Sequence, residues 1–171
     1  MDWNNSSTAS DRRSVMVWGA ISASGKSQLV IVRNNLNAQR YIDDCLQQHL
    51  IPFMNPHNNM SFQHDNTCPH AAVITQQFLN QNNISVLPWP SMSPAMNPIK
   101  QLWDRIDRDI RQQHPRFRRI VDIENALLQA WQGIPQRDIR RLCLSMRRRC
   151  TALGCARGGH TSYWSNVEFD F

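Results

Sequence analysis

Short runs of apolar residues mixed with polar ones, a pattern typical of β-strands, occur in the first half of the chain at residues 15–21, 28–33, 61–65 and 84–87. The polar stretch 22–27 between the first two runs predicts a turn. A turn that short pairs its flanking strands antiparallel, because parallel strands need a crossover of a dozen residues or more. The first two runs are therefore predicted to form a β-hairpin.

Longer segments carry apolar residues at three- and four-residue intervals, the spacing that places them on one face of an α-helix. The predicted helices cover residues 37–53, 69–80, 98–112, 122–131 and 136–151. In the helix over 69–80 the residues predicted to face inward are Ala72, Ile74, Phe78 and Leu79. Strands interspersed with helices predict an α/β fold, a mixed sheet flanked by helices.

The composition indicates a single globular domain with a buried core. The 171 residues suit one domain, and a hydrophobic fraction of 41% with six tryptophans predicts a buried core. No run approaches the eighteen or so apolar residues of a membrane span, so no membrane partner is expected. The five cysteines form no CxxC pair and match no usual zinc spacing, which favours reduced thiols over a metal site.

Positive charge is concentrated in the second part of the chain. Residues 1–99 carry five basic and five acidic residues, whereas residues 100–171 carry fourteen and eight and account for the whole net charge of +6. The densest clusters are Arg116, Arg118 and Arg119, then Arg137, Arg140 and Arg141, then Arg147, Arg148 and Arg149. Such clusters attract phosphate groups without sequence preference, although a solvated helix face would have the same composition.

Two residues carry the candidate chemistry. Asp65 follows an apolar run and precedes Asn66, so it is predicted at the carboxyl end of a strand, where α/β sheets place their ligands. A carboxylate there can hold a divalent metal. Asn97 and Pro98 predict a helix start, which puts Lys100 in the first helical turn. That turn normally favours acids, because the helix macrodipole is positive there.

Several short stretches carry a family resemblance. They are VMVWG at 15–19, FQHDN at 62–66 with Pro69 and His70, WPS at 89–91 with Ser93 and Pro94, NPI at 97–99 with Leu102 and Trp103, IPQ at 134–136, Ser145 and Met146 with RRC at 148–150, and ARGGHT at 156–161. Together they resemble the catalytic domain of mariner-superfamily transposases of the Tc branch. The resemblance covers residues 14–163, in chain order.

That resemblance implies a ribonuclease-H-like fold in which two Asp and a final Glu bind two metal ions, Mg²⁺ or Mn²⁺. In the family thirty-four residues separate the last two acids. Thirty-four residues also separate Asp65 from Lys100, so Asp65 matches the second acid and Lys100 stands at the place of the third. His64 and His70 are interpreted as side chains hydrogen-bonded near the strand end, with a role in catalysis or metal binding as the alternative.

The first acid of the family lies on a strand just upstream of VMVWG. Residues 1–13 are polar here, and Asp2 and Asp11, the acids available, are not embedded in a strand pattern. The expected architecture is therefore a ribonuclease-H-like mixed sheet with its first strand missing, as if truncated at its start. The expected organisation is a polar segment at 1–13, the catalytic domain at 14–163 and a tail at 164–171.

This residue set predicts a defective catalytic site. One carboxylate cannot anchor two divalent cations, and the ammonium of Lys100 puts positive charge where a metal would bind. Asp104, one helical turn further on, is interpreted as an ion-pair partner of Lys100 or a solvated acid, with a substitute metal ligand as the alternative. Glu124 and Glu168 do not fall at the required spacing.

The resemblance implies a role in DNA transposition or integration in the nucleus, with DNA held mostly through phosphate contacts. The residues expected to contact it are Lys100, Arg116, Arg118, Arg119, Arg140, Arg141, Arg147, Arg148 and Arg149. Two alternatives stay open. One is a protein-interaction remnant that binds full-length transposase and dampens it, and the other is an active nuclease with unassigned metal ligands.

Overall fold

The computed structural model describes residues 15–56, 60–88, 97–113 and 119–155. Its elements in chain order are β1 (Met16–Trp18), β2 (Val30–Val32), α1 (Ala38–Arg40), a π helix (Tyr41–Leu50), α2 (Ile51–Met54), α3 (Cys68–Ala71), α4 (Val73–Gln81), α5 (Pro98–Gln113), α6 (Ile120–Gly133), α7 (Gln136–Leu144) and α8 (Met146–Cys155). In this part of the chain no helix is long and apolar enough to span a membrane.

The predicted hairpin is confirmed. Strands β1 and β2 pair antiparallel, with Met16 opposite Val32 and Trp18 opposite Val30, and a bridge between Ile21 and Lys26 closes the turn. The regular strands are shorter than the apolar runs that predicted them. The runs at 61–65 and 84–87 also meet, through one parallel bridge between Phe62 and Val86. Two backbone hydrogen bonds make that bridge, from Phe62 N to Ser85 O (2.7 Å) and from Leu87 N to Phe62 O (2.9 Å).

Both faces of the hairpin are covered. Alternate side chains of a strand point to opposite faces. One face contributes to a core with α5, α6 and α7, whose buried members include Val15, Leu29, Leu102, Ile106, Ile123, Leu127, Trp131 and Ile139. The other face contributes to a core with the π helix and α4, whose buried members include Ala20, Val32, Tyr41, Leu46, Leu50, Phe62, Leu79 and Ile84. The small sheet is thus the middle of three layers.

The helical segment predicted at 37–53 is confirmed, with Asn37 as its cap. The side chain of Asn37 accepts a hydrogen bond from Arg40 N at 2.9 Å. The chain stays helical to Met54, and its central part widens into a π helix that buries Tyr41 and Cys45 completely. This helix places Tyr41 beneath the end of the Phe62 strand, where the candidate chemistry lies.

The prediction of one helix over 69–80 was wrong at two points, its continuity and the inward position of Ile74, whereas Phe78 packs against the core as predicted. Helix α3 ends at Ala71, and Ala72, which is extended (φ −60°, ψ 142°), separates it from α4. This break changes the phase of the helix, so Ile74 is 43% exposed, whereas Thr75 is buried and donates to Pro69 O at 2.7 Å. Leu79 is buried as predicted.

The helices predicted in the second part of the chain are confirmed. Asn97 caps α5 by accepting a hydrogen bond from Ile99 N at 3.3 Å. Leu102, Ile106 and Ile110 form the buried face of that helix. Helices α5 and α6 pack against each other through this face, and Ile139 joins α7 to the same core.

Lys26 joins the hairpin turn to the carboxyl end of α6. Its Nζ donates to three backbone carbonyls, those of Trp131 (2.6 Å), Gln132 (3.0 Å) and Ile134 (2.9 Å). The indole of Trp131 returns a hydrogen bond to Ser27 O at 2.9 Å. The carbonyls at a helix end have no partner within the helix and carry partial negative charge, so an ammonium group stabilises them.

Replacing Lys26 with Met keeps the alkyl stem and removes the three hydrogen bonds. We expect the free energy of unfolding to fall by about 1–3 kcal/mol, the usual range for hydrogen bonds to a charged group. Urea unfolding followed by tryptophan fluorescence measures the change. Arg119→Met, which removes an exposed cation from the other end of α6, is the matched control. Equal stability of Lys26→Met and the unmodified chain would show that the three hydrogen bonds of Lys26 do not stabilise the fold.

Candidate functional site

Asp65 lies three residues beyond the Phe62–Val86 bridge, at the end of the strand. One carboxylate oxygen, Oδ1, accepts two hydrogen bonds: from His70 Nδ1 at 2.7 Å and from Thr67 N at 3.3 Å. Within the described residues Oδ2 has no hydrogen-bond partner, and one third of the side chain is exposed. Asp65 is therefore held by one oxygen and offers the other to solvent.

The rings of Tyr41, His64 and His70 form a packed cluster next to Asp65. The ring of His70 lies 4.3 Å from the ring of Tyr41 and 5.1 Å from that of His64, measured between centroids. Tyr41 is fully buried and His64 is 8% exposed. His70 is thus fixed by ring packing on one side, and its backbone carbonyl accepts from Gln76 Nε2 at 3.0 Å on the other. The orientation of Asp65 depends on this packing through His70.

The ionisation states follow from these contacts. The hydrogen bond from His70 holds the pKa of Asp65 well below its ordinary value, and burial opposes this only in part. Burial lowers the pKa of His64 to about 4, so His64 is neutral at pH 7. Burial also raises the pKa of Tyr41 above its ordinary value. At neutral pH the cluster presents one negative carboxylate on a support that contains a neutral imidazole and a neutral phenol.

Lys100 lies in the first turn of α5, as predicted. Its backbone N–H donates to Asn97 O at 3.2 Å, and the residue is half-buried. Across the described ranges its ammonium group makes no hydrogen bond or ion pair, and none joins it to Asp104. Nor does the structure record a direct bond between Lys100 and Asp65 in these ranges. Of the two interpretations of Asp104, the ion pair with Lys100 is therefore not formed, and the solvated acid stays a prediction.

The donor groups do not fit a two-metal site. In the part of the chain that the structure describes, no three His, Cys, Asp or Glu side chains converge as metal ligands. Glu124 is engaged by Arg33 at 3.0 Å. Asp2 and Asp11 lie outside the described residues. Asp65 is thus a single carboxylate, and two divalent cations need several acids to bind them and balance their charge.

The expected nucleic-acid contacts divide into three groups. Arg140, Arg141, Arg147 and Arg148 are exposed. Arg119 is exposed but bound to Asp122 at 2.7 Å, and Arg116 and Arg118 lie outside the described residues. Arg149 requires a correction, because its side chain is only 2% exposed and its guanidinium donates to Gln101 and Ser145. A buried arginine that joins α8 to α5 is structural and does not offer its charge to DNA.

The contacts of two residues of the site were not identified from sequence. Tyr41 was predicted only as an apolar helix position, since nothing local shows that its ring supports His70. His70 was predicted to be hydrogen-bonded near the strand end, but its partner was not identified. The signal was its spacing five residues beyond Asp65, across the Pro69 turn, which lets the imidazole fold back onto the carboxylate.

Comparison with known proteins identifies relatives. The sequence profile of the DDE superfamily endonucleases matches residues 4–124. The Tc3 transposase of Caenorhabditis elegans is 28% identical over 151 residues, covering 87% of this chain and 46% of that protein. The Tc1 transposase of the same organism is 31% identical over 156 residues, covering 88% of this chain and 55% of that protein. This chain spans about half the length of these relatives.

Solved structures show the same fold at lower identity. The crystal structure of the catalytic domain of Mos1 mariner transposase superposes with a TM-score of 0.73 at 19% identity, covering 86% of this chain and 76% of that chain. The Mos1 strand transfer complex gives 0.75 at 19% identity, covering 95% and 50%. The Mos1 catalytic domain has also been solved with Mg and with Mn, together with Raltegravir. The predicted ribonuclease-H-like α/β fold is confirmed.

The hydrogen bond from His70 should control the ionisation of Asp65. In His70→Asn we expect the pKa of Asp65 to rise toward the ordinary aspartate value of about 3.9, because the main cause of its lowering is removed. Carboxyl ¹³C NMR titration of both proteins between pH 2 and 6 measures the change. Asp138, whose pKa is lowered by its hydrogen bond to Arg105, should titrate alike in both.

The lowered pKa of Asp65 also makes the free energy of unfolding depend on pH. A lowered native pKa means that the unfolded chain binds the proton first as the pH falls, so the Asp65 contribution to stability is present above about pH 4 and is lost below it. His70→Asn should therefore lose less stability than the unmodified chain between pH 5 and 3. If the pKa of Asp65 is the same in His70→Asn as in the unmodified chain, the hydrogen bond from His70 does not control that pKa.

Proposed function

Because this chain belongs to the DDE superfamily endonucleases, we propose that residues 14–163 form a Tc/mariner-type transposase catalytic domain that binds DNA but no longer cleaves it. The activity it derives from is metal-dependent strand cleavage and transfer in DNA transposition. The relatives are named as transposases of transposable elements, and solved neighbours include a Mos1 paired-end complex and a strand transfer complex. Such a protein would act in the nucleus.

The observation that carries the loss of cleavage is Lys100. Thirty-four residues separate it from Asp65, which puts it at the place where the resemblance implies the final Glu, and its ammonium makes no ion pair with a carboxylate within the described ranges. Exchange of a carboxylate for an ammonium replaces attraction of a divalent cation by repulsion. The family implies Mg²⁺ or Mn²⁺, yet only Asp65 remains to bind it among the residues that match its acids.

DNA binding does not depend on the lost acids. The net charge of +6 lies in the second part of the chain, and five arginines of α7 and α8 are exposed there, of which Arg137 is ion-paired with Asp138. Phosphate attraction of this kind is independent of sequence and falls steeply with salt. The proposal therefore separates two activities: duplex binding is kept, and metal-dependent chemistry is lost.

Nicking of supercoiled plasmid tests the proposal. In the presence of Mg²⁺ or Mn²⁺, we expect the unmodified chain to nick no faster than Asp65→Ala. The physical reason is that a single carboxylate cannot hold the two metals that activate and stabilise the reacting oxygens. Gel shift of the same plasmid shows whether DNA is bound under these conditions.

Asp65→Ala removes only the one matched acid, and Arg111→Gln, on the exposed side of α5, controls for a general effect of changing charge. Metal-dependent nicking by the unmodified chain that Asp65→Ala abolishes would overturn the proposed loss of cleavage. It would favour an active nuclease whose other ligands lie elsewhere.

A further inference from the structure

Helices α7 and α8 form one nearly continuous helix. Ser145 lies between them with helical backbone angles, and the hydrogen bonds pass through the junction, from Ser145 N to Arg141 O and from Arg149 N to Ser145 O, both at 3.1 Å. The combined helix runs from Gln136 to Cys155. It can therefore be treated as a single cylinder with one inner and one outer face.

The inner face is anchored in the protein. Ile139 is fully buried in the core shared with α5 and α6. Arg149 is 2% exposed, and its guanidinium binds Gln101 on α5 and Ser145 on its own helix. These inner-face contacts hold the combined helix in a fixed orientation, and the residues of the outer face take no part in them.

The outer face carries a regular arrangement of arginines. At 100° per residue, Arg140 and Arg147 point within about 20° of each other, and so do Arg141 and Arg148. Leu144 falls between these two rows and is 64% exposed. Arg140 and Arg148 are about 12 Å apart along the axis. We call these four arginines and Leu144 the arginine face.

Within the described ranges none of the four guanidinium groups of the arginine face has a hydrogen-bond or ion-pair partner. Arg141 helps to lower the pKa of Asp138 through its charge, but Asp138 is hydrogen-bonded to Arg105. Five arginines elsewhere are ion-paired: Arg33 binds Glu124, Arg40 binds Asp44, Arg105 binds Asp138, Arg111 binds Asp107 and Arg119 binds Asp122. Four unpaired cations on two turns of one helix, with an exposed leucine among them, form a surface complementary to a polyanion.

We infer that the arginine face seats α7 and α8 in a groove of double-stranded DNA, with the arginines on the flanking phosphates and Leu144 against the groove wall. This deepens the proposed function and rests on its DNA-binding part. The major groove is about 12 Å wide and admits an α-helix, and its phosphates line both sides, as the two arginine rows do. Single-stranded DNA is less suited, since no residue of this face is aromatic and could stack on bases.

The arginine face is inferred to make two kinds of contact, charged contacts to phosphates and an apolar contact through Leu144. Their different dependence on salt distinguishes them. The unmodified chain is titrated onto a fluorescein-labelled 20-base-pair duplex at several salt concentrations between about 50 and 300 mM, a range over which phosphate contacts weaken binding strongly. Arg→Gln at positions 140, 141, 147 and 148 together should reduce the slope of log K against log salt by about three to four, since each phosphate contact contributes about 0.9. Leu144→Ala should weaken binding about three- to tenfold with no change of slope, because it removes apolar contact and no charge.

Matched controls are available in the chain. Arg111→Gln removes an ion-paired arginine of α5, and Val121→Ala removes an exposed aliphatic side chain of α6. Each variant should leave the affinity within about twofold of the unmodified chain, with a change of salt slope well below the value of about 0.9 for a lost phosphate contact. Circular dichroism confirms folding, which is expected because every changed side chain is exposed.

Several outcomes would overturn the inference. If the quadruple variant binds the duplex with the same salt slope as the unmodified chain, DNA is bound by another surface. The inference would then be wrong, and the proposed function would stand. Tighter binding to the single strand of the same sequence would exclude a groove-seated helix. No binding of the unmodified chain at low salt would remove the DNA-binding part of the proposed function together with the inference, whereas loss of cleavage is tested by nicking alone.

Discussion

The constraint on which the structure depends is that its small hairpin is apolar on both faces. Val17 and Ile31 point to one side, and Trp18, Val30 and Val32 to the other. A sheet with two apolar faces must be covered twice, because exposed apolar area costs about 25 cal/mol per Å². The covering layers are α5, α6 and α7 on one side and the π helix with α4 on the other. Lys26 and Trp131 fasten the first layer to the hairpin turn.

The two layers carry different functions. The layer with the π helix supports Asp65, since Tyr41 packs on His70 and His70 binds the carboxylate. The layer with α5 carries Lys100 at its start and, through Gln101 and Arg149, fixes the helix that bears the arginine face. The core contacts on both sides of the hairpin involve neither Asp65 nor Lys100. The fold and the charge distribution therefore do not depend on a working metal site, which is why we propose that DNA binding can persist without cleavage.

Much of this could be predicted from sequence, because periodicity reports which side of an element is buried. The antiparallel hairpin, the Asn37 and Asn97 caps and the buried face of α5 followed from apolar spacing and local capping chemistry. The break at Ala72 did not, since the sequence there remains compatible with a helix and tertiary packing decides. Arg149 was misjudged because a run of three arginines suggests an exposed patch, although its helical phase is within about 20° of Leu142, which packs against the core. The support of Asp65 by Tyr41 joins residues far apart in sequence, and no local pattern could reveal it.

The most direct test of the account is calorimetric titration of the purified chain with Mn²⁺, beside Lys100→Glu and the double variant Lys100→Glu with Asp65→Ala. We expect no saturable binding to the unmodified chain, because Asp65 is a single carboxylate and Lys100 brings a positive charge to the sequence position of the final acid. We expect measurable uptake by Lys100→Glu, which restores a second carboxylate, and loss of that uptake in the double variant. Saturable, Asp65-dependent Mn²⁺ binding by the unmodified chain, as tight as that of Lys100→Glu, would contradict the account.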